Sequence, residues 1–137
     1  MPERRNVSSG APWEETVGYS RAVRIGDLIA VSGTVSRGPF GRLGSSEEAY
    51  RQALQALRTI QEALEAAGAR LEDVIRTRIY VTDIVRDSEA VGRAHREFFG
   101  AIRPAATMVE VARLIDKKML VEIEADAVAP RGPEERA

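Results

Sequence analysis

The residues here whose types and spacing could do chemistry are carboxylates and guanidiniums set two positions apart. Glu122, Glu124 and Asp126 alternate with Val121, Ile123, Ala125 and Ala127. In a strand, that alternation puts three carboxylates on one face and four apolar side chains on the other. Glu110 holds a similar place in a second alternating run, and Arg76 and Arg78 do so in a third. A carboxylate can polarise a water and take its proton. Beside a guanidinium it can form an ion pair instead. Two readings of the charged face stay open: a solvated surface, or a subunit interface where opposite charges on neighbouring strands pair between chains. Other chemistries have less to stand on. The chain has no cysteine, so there is neither a disulfide framework nor a thiolate. Its one histidine, His95, excludes a multi-histidine metal site within one chain. It reads as an exposed or interfacial residue of a helix. Ser32 has no positioned base partner and is not a nucleophile. A strand-end serine usually bonds locally.

The elements that must hold these residues are legible in order. Residues 1–16 are polar and turn-rich, with Trp13 as the one large apolar residue, placed to pin this arm to the body. Residues 22–25 and 28–33 flank Gly26-Asp27 and read as a hairpin. Residues 36–44 carry Gly38, Pro39, Gly41 and Gly44 and form a loop. Ser45 and Glu48 have capping-box spacing. Ala49, Ala53, Leu57, Ile60, Leu64 and Ala67 then form one helical stripe, closed by Gly68. Residues 72–82 read as a strand with Ile75, Thr77, Ile79 and Val81 on one face and Arg76, Arg78 and Tyr80 on the other. Asp87 or Ser88 caps a second helix with the stripe Val91, Ala94 and Phe98, ended by Gly100. Pro104 turns Arg103 away from helical geometry and opens an extended run. There Thr107, Val109 and Val111 share one face, and Ala106, Met108 and Glu110 the other. The polar turn Asp116-Lys117-Lys118 leads to the run from Leu120 to Val128, and the two runs read as an antiparallel pair. The order is β-β-α-β-α-β-β, with room for one more strand at the N-terminus. Two helices with one stripe each cover one face of a sheet.

Composition narrows the class. At 137 residues the chain is one domain with a real core: an arm over 1–16, a body over 17–130 and a flexible charged tail over 131–137. Lys and Arg number 20 against 21 Asp and Glu. There is no basic field to hold nucleic acid or an anionic membrane. No apolar run approaches membrane-spanning length, and the polar N-terminus is not a secretory signal. A soluble, cytoplasmic protein is expected.

Several stretches together resemble the RidA family of reactive-intermediate deaminases, also called the YjgF or L-PSP family. They are Gly18-Tyr19-Ser20-Arg21-Ala22-Val23, Val31-Ser32-Gly33, Glu65-Ala66-Ala67-Gly68-Ala69, Tyr80-Val81-Thr82-Asp83 and Phe98-Phe99-Gly100. Arg103-Pro104-Ala105, the run from Val109 to Leu114, and the run from Val121 to Ala125 complete the set. The resemblance spans residues 18–128. It implies an α+β, chorismate-mutase-like fold: a mixed sheet of about six strands covered on one face by two helices. It also implies a homotrimer with small-molecule clefts between neighbouring subunits, and no cofactor or metal. In the best-studied branch it implies hydrolysis of enamines and imines released by pyridoxal-phosphate enzymes, giving 2-oxo acids and ammonia.

Carried over residue by residue, Glu122 matches the glutamate that orients the attacking water. Tyr19 and Ser32 match the cleft tyrosine and serine, and Gly33 and Met108 belong to the same cleft. The branch carries an arginine directly after the Pro-Ala of its fifth strand to hold the substrate carboxylate in a bidentate pair. Here that position is Ala106. Arg103 lies nearby, either solvated or reaching the cleft. Thr34 stands where glutamine is common, and Gly18-Tyr19 lacks a preceding proline. These departures imply a divergent branch. The leading reading is a trimer with a cleft for a small metabolite, hydrolysing an enamine or imine through Glu122 without the usual arginine. The alternative is a metabolite-binding or regulatory trimer that has lost the chemistry. Endoribonuclease activity is a remote third, since the chain has no basic groove and no aromatic stacking platform.

Overall fold

The computed structural model describes residues 3–130, so the expected tail over 131–137 lies outside the described residues. The strands are β1 (Arg4–Val7), β2 (Ala22–Ile25), β3 (Leu28–Thr34), β4 (Val74–Val81), β5 (Ala105–Glu110) and β6 (Val121–Val128). The helices are α1 (Ser46–Ala66), between β3 and β4, and α2 (Ile84–Phe99), between β4 and β5. The six strands form one sheet in the order β1-β2-β3-β6-β4-β5. Only β4 and β5 run parallel; the other pairs are antiparallel. This is the α+β sheet with two helices that the sequence predicts.

Local chemistry sets the helix ends. The Ser45 side chain accepts from the Glu48 backbone N–H at 3.2 Å and caps α1. At the other end, Gly68 takes φ +81°, and Ala69 N–H and Gly68 N–H reach back to the Leu64 and Glu65 carbonyls. That is a Schellman ending, and it needs glycine at the left-handed position. Leu57, Ile60 and Leu64 are fully buried along the expected stripe. Each contributes about 1.5–3 kcal/mol of burial. Helix α2 begins a turn earlier than expected. Its cap is Asp83, which accepts from Arg86 N–H at 3.1 Å. Asp87 lies inside the first turn, fully buried, its carboxylate gripped by Arg86 Nε and Nη2 at 2.8 Å each.

Four expectations about the strands are corrected. First, β5 and β6 are not paired: β4 lies between them. The unit β4-α2-β5 is a crossover, which requires parallel neighbours, and residues 111–120 then carry the chain past the end of β4 to its other side. Second, the β4–β5 register places Ala106, Met108 and Glu110 beside Thr77, Ile79 and Val81, on the helix-covered face. Glu110 therefore leaves the open face, and its Oε1 accepts from Ile84 N–H at the start of α2. Thr107 and Val109 stand on the open face, beside Arg78 and Tyr80. Third, the β4–β6 register shifts between Val74 and Arg76, so Val74 is buried and Ile75 is exposed. Fourth, Arg103 is left-handed, at φ 60°, rather than extended. Trp13, expected to pin the arm, is 61% exposed, while β1 holds the arm through its pairing with β2.

The link from β5 to β6 is fastened by one buried side chain of α1. Gln52 donates from Nε2 to the Lys118 carbonyl at 2.9 Å and accepts at Oε1 from Leu120 N–H at 2.8 Å. Its Nε2 also reaches Glu48 Oε2 at 2.9 Å. This holds the entrance to β6, two residues before Glu122.

Candidate functional site

The open face of the sheet carries the charged band. Arg78 Nη1 sits 3.0 Å from Asp126 Oδ2 and 3.3 Å from Glu124 Oε1, and Tyr80 donates to that same Glu124 oxygen at 2.9 Å. Arg78 on β4 thus pairs within the chain with two carboxylates of β6. Glu122, next along β6, has no ion-pair partner among the described residues.

A bulge in β3 positions Glu122. The β3–β6 register shifts between Val31 and Thr34, which leaves Ser32-Gly33 as the irregular step. The Glu122 carboxylate folds over Gly33. A Cβ built on that glycine would lie 2.5 Å from Oε2, so only glycine lets the carboxylate sit there. Burial pushes the Glu122 pKa above the ordinary carboxylate value, and the neighbouring Glu124 charge pushes the same way. Arg21 acts in the opposite direction. The carboxylate opens on a depression of about 420 Å³ lined also by Tyr80, Val111, Arg113, Leu114 and Glu124. A half-buried carboxylate with a raised pKa beside solvent is a group suited to accepting a proton from water.

Arg21 ties this depression to a second one. It is buried, donates from Nη2 to the Gly33 carbonyl at 2.6 Å and lies 5.9 Å above the Tyr19 ring. Its Nε is buried without a hydrogen-bond partner. The second depression, about 560 Å³, is lined by Tyr19 and Ser32 together with Arg4, Asn6 and Glu14. Ser32 Oγ donates to the Ser20 carbonyl at 2.6 Å, the local bond expected of it.

Of the residues expected in one cleft, the structure sets Glu122 beside Gly33 and Tyr19 beside Ser32, in two separate depressions. Ala106 and Met108 are elsewhere: on the helix-covered face, at the β5 edge, with Ala106 exposed and Met108 half-buried against the core. Arg103 is exposed in the turn before β5. One chain does not bring these two groups together. Reasoning from sequence missed Arg21, Tyr80 and Arg113. For Arg21 the available signal was a cation directly before the strand Ala22–Ile25. His95, expected to be exposed or interfacial, is half-buried, stacks on Phe99 with ring centroids 4.8 Å apart, and lies 2.9 Å by Nε2 from Thr77 Oγ1.

Comparison with known proteins gives a consistent answer. The family described as Endoribonuclease L-PSP matches residues 10–129. A crystal structure from Mycobacterium tuberculosis, titled as a member of the YjgF/YER057c/UK114 family, superposes with a TM-score of 0.84 at 52% identity, covering 93% of this chain and all of that one. An uncharacterized Streptomyces coelicolor protein is 42% identical over 124 residues, 90% of each chain. The 2-iminobutanoate/2-iminopropanoate deaminase of Salmonella typhimurium is 35% identical over 114 residues, 80% of this chain and 86% of that one. With the match running from the arm to the end of β6, the chain belongs to the L-PSP family, the group that also bears the name YjgF.

Proposed function

We propose that the chain assembles as a homotrimer with a small-molecule cleft between neighbouring chains, and that it hydrolyses an enamine or imine there through Glu122. The observation that carries the reading is the Glu122 carboxylate, half-buried over Gly33, without an ion-pair partner and with its pKa raised. Ionised, it takes a proton from water as the water oxygen bonds to the imine carbon. With the imine nitrogen protonated, that step gives a carbinolamine; the carboxyl then returns its proton to the amine nitrogen and takes up the hydroxyl proton as the carbonyl forms. The C–N bond breaks, ammonia leaves and a carbonyl compound remains.

Two features support assembly. Candidate site residues stand on opposite faces of the sheet, so a cleft joining them needs the β5 edge of one chain against the Glu122 face of another. The open face also exposes Ile25, Leu28 and Val128 in adjacent register, with Val109 at the far edge. Such a patch is costly to leave in water. A second reading, a trimer that binds a metabolite without turning it over, is favoured by Ala106. The deaminases that the sequence resembles carry their carboxylate-holding arginine at that position.

Ammonia release from a panel of imines generated in situ, with Glu122→Gln as the control, separates the two readings. Loss of release in the variant supports hydrolysis. Absence of release in the native chain, with ligand binding retained, supports the second reading. A monomer by light scattering at micromolar concentration refutes the shared cleft.

A further inference from the structure

The single histidine is better placed than a helix-surface residue has any need to be. Thr77 is fully buried in β4, and its hydroxyl meets His95 Nε2 at 2.9 Å. Phe99 packs against the same ring. These two contacts fix the imidazole plane and leave Nδ1 for an outside partner. Thr77 stands in direct register with Ala106, which is exposed on the same face, and Met108 lies one step further along. One turn before His95, Gly92 interrupts α2, although a Cβ there would meet nothing within 4 Å. A methyl group would fit there, and the position is left open. Ala106 and Met108 are thus the β5 residues that register sets beside the strand positions of Thr77 and Ile79, next to the Thr77–His95 pair.

Burial holds the His95 pKa below the ordinary imidazole value. The ring is neutral near pH 7. Nδ1 then presents a lone pair or an N–H, according to how the Thr77 hydroxyl is turned. A group that both donates and accepts, such as an amide, can meet either tautomer. A carboxylate only accepts, so it meets the ring only in the tautomer that carries the Nδ1 proton. We propose that His95, oriented by Thr77, is a ligand-contact residue on the β5 wall of the cleft, and that it takes an uncharged, amide-like end of a small carbonyl metabolite. This deepens the cleft proposed above and rests on that reading, with Thr77 as a positioning residue.

Because the chain has one histidine, its imidazole gives one resolved set of NMR signals. The test titrates the native protein with pyruvamide and, separately, with pyruvate, following the His95 ring. A saturable shift with pyruvamide, about tenfold tighter than with pyruvate, is expected for one hydrogen bond of discrimination. Thr77→Val, which keeps the shape and removes the hydroxyl, should weaken pyruvamide by about three- to tenfold. It should also alter the tautomer ratio read from the ring nitrogens, which a purely structural role for Thr77 would not change. In His95→Phe the Met108 methyl signal, which reports folding as well, should stay native-like and stop responding. Tighter binding of pyruvate overturns the proposal, as does a His95 signal unmoved by pyruvamide. The readout is independent of turnover: a His95 response in a protein that releases no ammonia refutes catalysis alone, and release without a His95 response refutes this inference alone.

Discussion

Gly33→Ala separates the position of Glu122 from the stability of the fold. The added methyl would sit 2.5 Å from Glu122 Oε2 and 3.0 Å from its Cδ. Ordinary contact needs roughly 3.5 Å, so the carboxylate must retreat by about 1 Å. Gly33 lies outside the left-handed region, so alanine meets no backbone strain there. The group in the way is the far end of a flexible side chain, and it moves more easily than the strand. Replacing a strand glycine also recovers about 0.5–1 kcal/mol of backbone entropy. The expected variant therefore melts at or slightly above the native temperature.

Its chemistry should suffer. A misplacement of about 1 Å in a reacting group can cost about 10²-fold in rate. Burial is the largest cause of the raised Glu122 pKa, and a carboxylate pushed toward water loses part of it. The Glu122 titration should fall back toward that of an ordinary glutamate. Carbon-detected NMR of the labelled side-chain carboxyl reads this directly, with ammonia release beside it. A folded Gly33→Ala protein with an unaltered Glu122 titration would refute the reasoning, since it would mean that the glycine does not set the carboxylate.

Glu122→Gln should change the pH dependence of stability. The folded-state pKa stands above the unfolded value, so between the two the folded protein binds more protons, and native stability falls as pH rises through that window. The variant lacks this loss, so its melting temperature should gain on the native across the window and hold a constant offset above it. Equal curves would remove the buried carboxylate from the account. Gln52→Leu strands the Lys118 carbonyl and the Leu120 N–H. Urea unfolding should report a loss of about 1–3 kcal/mol for each group left without a partner, and a neutral result would mean that water replaces the amide. Ala106→Arg should tighten pyruvate binding by roughly 10–150-fold, the worth of charge-assisted hydrogen bonds. Unchanged binding by calorimetry would place the carboxylate pocket away from β5.

The helices were legible because their signals are local. Ser45, Gly68 and the stripe through Leu57 and Leu64 act within one element, and α1 follows them. Partnership between strands was not legible, because alternation names a face and not a neighbour. Residues 103–114 and 120–128 carry the same period, and only the crossover through α2 decides that β4 separates them. The bulges that expose Ile75 and place Gly33 under Glu122 leave no mark in the period until the register is known. The site divides the same way. Glu122, Tyr19 and Ser32 came from motif likeness. Arg21 and the Thr77–His95 pair depend on contacts across the sheet and between sheet and helix, which no spacing announces.

The misassigned face of β5 carries its own meaning. Val109 and Val111 alternate as core residues do, yet they belong to the side that no helix of this chain covers. The side turned toward α2 holds Ala106, Met108 and Glu110, and Met108 is the one large apolar residue among them. A strand whose apolar phase is opposite to its own core is patterned for a surface supplied from outside. The same is true of Leu28 and Val128, paired in register and both exposed. Between these two apolar margins lies the band where Arg78 is shared by two carboxylates, Glu124 and Asp126. A neighbour laid on this face would bury the margins and meet a middle that keeps one carboxylate charge in excess. The carboxylate on that face left without an ion-pair partner, Glu122, then stands where the neighbour's β5 edge would close a site.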